Sequence, residues 1–228
     1  LTSTVKYDSK STTKSSDTLK SEIINAISSY NTNTLQKFDS IYRHSRLTGI
    51  IDGVDNSILS NITTVKIRKS FTPTLASSTK YSIYFRNALF NPHAGHNAMA
   101  GGILSSTGFK VEGNDNEMFL DDDGAGNVRR YYLQSGIRTY ENNTQGTIDY
   151  TSGEIIINSL NVASISNIRG VTSTVIELTT TPLSNDVVPV RDQIVEIDIS
   201  NSNITVTADT FVGGSADAGV GYTTTSSY

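Results

Sequence analysis

Three consecutive aspartates, Asp121, Asp122 and Asp123, run into Gly124-Ala125-Gly126-Asn127. Adjacent carboxylates on a glycine-bent backbone are the raw material of a calcium loop. The register fails, because the fifth position counted from Asp121 is Ala125 and the twelfth is Tyr132, where a bidentate glutamate is required. An acidic hairpin turn is the reading that remains. His93 and His96 stand three apart in a Gly/Ala loop, with His44 the only other histidine, and two imidazoles do not close a zinc site. Gly213-Gly214-Ser215-Ala216-Asp217 lacks the final glycine and the strand-to-helix setting of a nucleophile elbow. Gly124-Ala125-Gly126 begins like a dinucleotide fingerprint but falls inside a hairpin pattern. Glu112 and Glu117 could flank a glycosidic bond, yet nothing separates them from solvent-facing residues on neighbouring strands. The expectation is therefore no enzyme, with no catalytic residue, cofactor, metal or small-molecule substrate.

The composition points the same way. Ser and Thr together make 59 of 228 residues, while only 18 Lys+Arg face 22 Asp+Glu, for a net charge of −4. Such a surface is polar without being charged, and Arg129-Arg130 is its largest basic cluster, which argues against nucleic acid. Zero cysteines exclude a disulfide framework and thiol chemistry. Apolar runs stop at four or five residues, so no bilayer-spanning helix is expected. Leu1 is followed by Thr and Ser rather than a basic-then-apolar leader, from which the chain is expected to begin inside a longer reading frame.

The elements that would carry these residues are read from periodicity. Residues 1–16 are a Ser/Thr/Lys-rich linker or strand entry, with Val5 and Tyr7 alternating. Leu19, Ile23, Ile24, Ala26, Ile27 and Tyr30 form one helical stripe behind Asp17 as N-cap. Further helical patterns start at Leu35 behind Thr34, through Phe38, Ile41 and Tyr42, and at Leu47, through Ile51 to Ile58, so 17–60 is expected to be a helical region. The period then switches from 3.6 to 2, and 61–210 reads as an antiparallel β domain with a long loop at 89–106. Strands are expected near 62–71, 79–88, 107–112, 117–121, 128–133, 147–150, 154–158, 173–179, 193–200 and 203–209. Hairpin turns fall at Asp123 to Asn127, Thr151 to Gly153 and Asn201 to Asn203. Residues 211–228 are a Gly/Thr/Ser tail. The fold class expected is α+β, a short helical region followed by a mainly antiparallel sheet or sandwich.

What remains for function is surface. Three helices with one apolar stripe each must cover those stripes with the sheet or with another chain. Tyr131 and Tyr132 cannot both face one side of a strand, so one of them points away from the local core. Phe38, Tyr42, Leu47, Tyr131 and Tyr132 are the residues expected at an interface, tyrosine being favoured at interface centres.

The stretch from Thr18 to Pro73, with GTIDYTSGEIIIN later and DDDGAGNVRRYYL between, resembles the C-terminal part of the baseplate wedge subunit of T-even-type contractile-tailed phages, within the wider baseplate J-like group. The likeness covers about residues 15–210 and is most specific over 35–73, where Phe38, Arg43, Ser45, Arg46, Leu47, Ile51, Asp52, Ile58 and Asn61 fall in the family's order. Loop 89–106 does not follow the family pattern. The resemblance implies a structural protein of the virion tail baseplate, present in the host cytoplasm during assembly. It also implies homodimers that join neighbouring wedges, contact with other wedge proteins, and a ring around the tail hub that changes diameter on contraction. A glycan-binding or adhesin β-module is the competing reading, against which the helices and the lack of Trp count.

Overall fold

A computed structural model describes residues 1–91, 93, 102–190 and 193–209. His96 and the 213–217 and 211–228 segments considered above lie outside the described residues, as does half of loop 89–106. Packing divides the chain into two units, one made of 1–32, 45–63 and the C-terminal segment from Ile197, the other of 33–44 and 64–196.

In the first unit the central strand is β1 (Thr2–Asp8), whose Ser3, Val5 and Tyr7 are buried while Thr2, Thr4 and Lys6 face out. It pairs in parallel along its whole length with β13 (Asn203–Asp209), Thr2 opposite Asn203 and Asp8 opposite Asp209. On its other side lies β2 (Ile58–Thr64), giving the order β13-β1-β2. Two helices supply the apolar cover. Helix α1 (Ser16–Tyr30) starts where the Ser15 hydroxyl accepts the Thr18 N–H at 3.2 Å, with Asp17 in the first turn favoured by the helix dipole. Its stripe of Leu19, Ile23, Ile27 and Tyr30 is at most 4% exposed. Each such side chain gains about 1.5–3 kcal/mol on burial, before the entropy of ordering is charged. Helix α2 (His44–Asp52) buries Leu47 and Ile51. The side-chain amide of Asn61 donates to the Thr48 carbonyl at 3.2 Å and to the Asp52 carboxylate at 2.6 Å, tying β2 to α2. Lys14 bridges Glu22 at 2.7 Å and Asp55 at 2.9 Å, which clips the start of α1 to the turn before β2.

The second unit is a β sandwich. Its larger sheet has the order β11-β6-β7-β8-β9-β10-β4, built from β4 (Thr79–Tyr84), β6 (Phe109–Val111), β7 (Met118–Asp122), β8 (Asn127–Gln134), β9 (Ile137–Asp149), β10 (Glu154–Leu160) and β11 (Val162–Ile165). Every neighbouring pair in it is antiparallel. The smaller sheet, β3-β12-β5, consists of β3 (Ile67–Phe71), β5 (Ser105–Ser106) and β12 (Ile176–Thr180), also antiparallel. Between them Phe109, Met118, Leu120, Val128, Ile155, Ile157, Ile176 and Leu178 are sealed from solvent. Gly146 is required where β9 meets β10, because a Cβ there would lie 1.9 Å from the Ile156 carbonyl oxygen.

The α+β expectation, mainly antiparallel, holds. The hairpins at 123–127 and 151–153 form as read, with β7 opposite β8 and β9 opposite β10. Several elements differ. Residues 35–42 make no α-helix: one π-helical turn ends at Leu35, Asp39 takes a left-handed φ of 61°, and Tyr42 makes a bridge to Val187 instead. The third helix stops at Asp52, because the Asp55 carboxylate accepts the Ser57 N–H at 2.9 Å and turns the chain into β2, which takes up Ile58. Residues 193–198 join no ladder, and 201–203 is no hairpin, since β13 pairs with β1 at the far end of the sequence. Val5 and Tyr7 belong to a full seven-residue strand.

Candidate interaction surface

The acidic hairpin is a structural device, and each aspartate has its own partners. Asp121 and Asp122 are 1% and 0% exposed. Asp121 accepts from Arg129 Nε at 2.9 Å and Nη2 at 3.2 Å, from Arg138 Nη1 at 2.9 Å and from the Tyr140 hydroxyl at 2.8 Å. Burial pushes its carboxyl above the ordinary range, and the hydrogen bonds from Arg129 and Tyr140 pull against that rise. Asp122 points the other way and accepts the Leu104 N–H at 2.8 Å and the Tyr150 hydroxyl at 2.5 Å. Burial and then the Asp122 carboxylate drive the Tyr150 hydroxyl far above its usual value. Asp123 closes the turn by accepting the backbone N–H groups of Ala125 and Asn127. Burial raises its carboxyl, but the hydrogen bonds from Asn127 and Ala125 outweigh it and hold it below the ordinary range. All three carboxylates are consumed by protein donors, and no group of three or more His, Asp or Glu among the described residues could hold a metal.

The other candidate chemistry is equally dispersed. Glu112 and Glu117 are both exposed, at opposite ends of the turn between β6 and β7. No helix among the described residues is long and apolar enough to cross a membrane.

The five residues read from the sequence as interface candidates fall in different places. Leu47 is fully buried and Tyr42 is 3% exposed, so both spend their apolar surface inside the chain. Tyr131 is 8% exposed, on the outer face of the larger sheet, and Tyr132 packs half-buried against the sandwich core. Phe38 is 71% exposed. It sits at the tip of a short loop whose stem is fixed: the Ser40 hydroxyl donates to the Thr34 carbonyl at 2.7 Å, and Arg43 and the His44 N–H both bind Asp186. The stem holds the ring outward.

In the first unit, two apolar side chains of β2 remain outside the core that the α1 stripe and the three-stranded sheet enclose. Ile62 on β2 is 70% exposed and Leu59 is 43% exposed. Sequence periodicity missed both, because Ile58, Leu59 and Ile62 were absorbed into or placed beside a helical pattern. The signal was available in Asn61-Ile62-Thr63-Thr64, whose alternation puts Ile62 on the face opposite Thr63.

Comparison with known families bears on the same part of the chain. Residues 1–70 match the family model of baseplate structural protein gp6, C-terminal domain III. The match takes in β1, α1, α2, β2 and most of β3; β13, which completes the first unit's sheet, lies beyond it. No curated protein matches the chain. The gp6 match supports a structural component of a phage tail baseplate, located in the virion and associated with other baseplate proteins.

Proposed function

We propose that this chain is part of a wedge subunit of a contractile phage tail baseplate, forming homodimers that link neighbouring wedges into a ring around the tail hub. The observation that carries the reading is the gp6 domain III match over residues 1–70, which supply β1, α1, α2 and β2 of the first unit and leave Ile62 and Leu59 outside. Phe38, on its braced loop, supplies a rigid aromatic anchor of the kind that dominates protein interfaces. Obligate interfaces commonly bury about 2,000 Å² or more, and a surface of Ser, Thr and Asn with little charge allows such contact without strong repulsion. The role is non-catalytic, and assembly takes place in the host cytoplasm before the subunit enters the virion.

Antibodies raised against the chain test this directly on intact particles. Immunogold label at the distal end of the tail is the expected result. Label on the head, along the tail tube alone, or absent from purified virions would refute it.

A further inference from the structure

Phe38 stands at the corner of a four-residue turn, Lys37-Phe38-Asp39-Ser40, whose ends are joined by the Ser40 N–H donating to the Lys37 carbonyl at 3.4 Å. Asp39, third in the turn, has a φ of 61°, a conformation that glycine or asparagine adopts with less strain. Gln36, Lys37, Phe38 and Asp39 are all exposed, so the two charges flanking the ring reach solvent. Neither the Lys37 ammonium nor the Asp39 carboxylate makes an ion pair or hydrogen bond with another described residue. The other charged groups that touch the loop lie at its base. There Arg43 pairs with Asp186 at 2.8 Å, and Glu196 accepts from the Gln36 side-chain amide at 3.3 Å. The tip itself carries one charge of each sign, one on either side of an aromatic ring that is 71% exposed.

Such a tip is complementary to itself. In a two-fold contact, residue i of one copy meets residue j of the other while j meets i. An axis passing beside Phe38 therefore sets ring against ring and brings Lys37 to the partner's Asp39 twice over. Two flanks of the same sign would repel each other under that rotation; flanks of opposite sign attract at both places. The ring then occupies the desolvated centre, and the ion pairs at the rim fix the register. The backbone at Asp39 points the same way, because the turn would relax with glycine or asparagine there, and the position holds a carboxylate instead.

We infer that the turn from Lys37 to Ser40 lies on the two-fold axis of a contact between two copies of this chain. Phe38 packs on Phe38 of the partner subunit, and Lys37 of each copy pairs with the partner's Asp39. The inference rests on the homodimer reading above and names the contact at its centre.

Reversing the charge on each side of the ring tests it, with sedimentation equilibrium of the whole chain as the readout. Lys37→Glu makes the tip acidic on both sides and Asp39→Lys makes it basic on both. Each variant alone should self-associate about tenfold or more weakly than wild type, because symmetry turns one substitution into two repulsive contacts. An equimolar mixture of the two should regain association close to that of wild type, since every introduced charge then faces its opposite. Added salt should weaken the wild-type dimer and strengthen association of Lys37→Glu. Asp39→Asn suits the left-handed turn, so it should leave the thermal midpoint unchanged or raised while weakening association by about fivefold or more. That variant keeps the test open should Asp39→Lys fail to fold, which near-ultraviolet circular dichroism of the tyrosines reveals. A wild-type dimer with Lys37→Glu and Asp39→Asn associating equally well would overturn the inference and leave the homodimer reading standing. So would a mixture of folded variants that associates no better than either alone. A wild type that stays monomeric at every concentration would overturn both.

Discussion

Replacing Asp121 by asparagine tests how the outer layer of the larger sheet is held together. The carboxylate accepts four hydrogen bonds, two from Arg129, one from Arg138 and one from Tyr140. Asparagine keeps one acceptor oxygen and no charge, so the 6%-exposed Arg129 side chain loses the carboxylate it pairs with at 2.9 Å. Breaking a buried pair from one side costs about 3–5 kcal/mol, because the remaining ion is still desolvated. Removing both ions together, as in Asp121→Leu with Arg129→Met, should cost less than the single change for the same reason. Urea denaturation followed by tyrosine fluorescence suits the measurement, since the chain has no Trp and Tyr131 and Tyr140 sit in the cluster. The predicted outcome is a loss of about 3–5 kcal/mol for Asp121→Asn and a strongly non-additive double-mutant cycle. A loss under about 1 kcal/mol, or additive effects, would show that the pair is not buried as described.

Gly146→Ala should destabilise the second unit by at least a few kcal/mol, because its Cβ would meet the Ile156 carbonyl at 1.9 Å; thermal melting measures this. Phe38→Ser should leave stability within about 0.5 kcal/mol, the ring being 71% exposed, yet weaken self-association by about tenfold or more in a dilution series. Lys14, and then the Ser57 N–H, lower the Asp55 carboxyl from 3.8 to about 2. The folded-state value is the lower one, so this contribution is fully present above about pH 4 and is lost as pH falls towards 2. Acid titration of Asp55→Asn should therefore show a shallower loss of stability across that window than wild type.

Local signals in the sequence predicted local structure well. The stripe from Leu19 to Tyr30 contained its whole period within one element, and Gly124, Gly126 and Gly153 marked turns because only residues tolerant of positive φ suit them. Long-range pairing was not legible. Nothing near Val5 announces that its neighbour is Val206, and without that parallel strand the first sixty residues read as helices in need of a partner. Residues 35–42 fit a helical stripe by spacing alone, but tertiary contacts at Tyr42 and Asp186 outweigh the weak intrinsic preference. The Asp121 network was half visible. Counting back from the Asp123 turn places Asp121 opposite Arg129, whereas Arg138 and Tyr140 arrive only after a register shift in β9 that no composition reveals. The helical stripe that the spacing suggested for Phe38 gave no sign that its ring is exposed, and Tyr42 and Leu47 are drawn into the core by contacts distant in sequence.

Sedimentation equilibrium of the whole chain over a wide concentration range tests the wedge-dimer account most directly. A stable mass near twice 24.6 kDa, lowered towards the monomer by Phe38→Ser, is the predicted result. A strict monomer at the highest concentration, for wild type and variant alike, would contradict it.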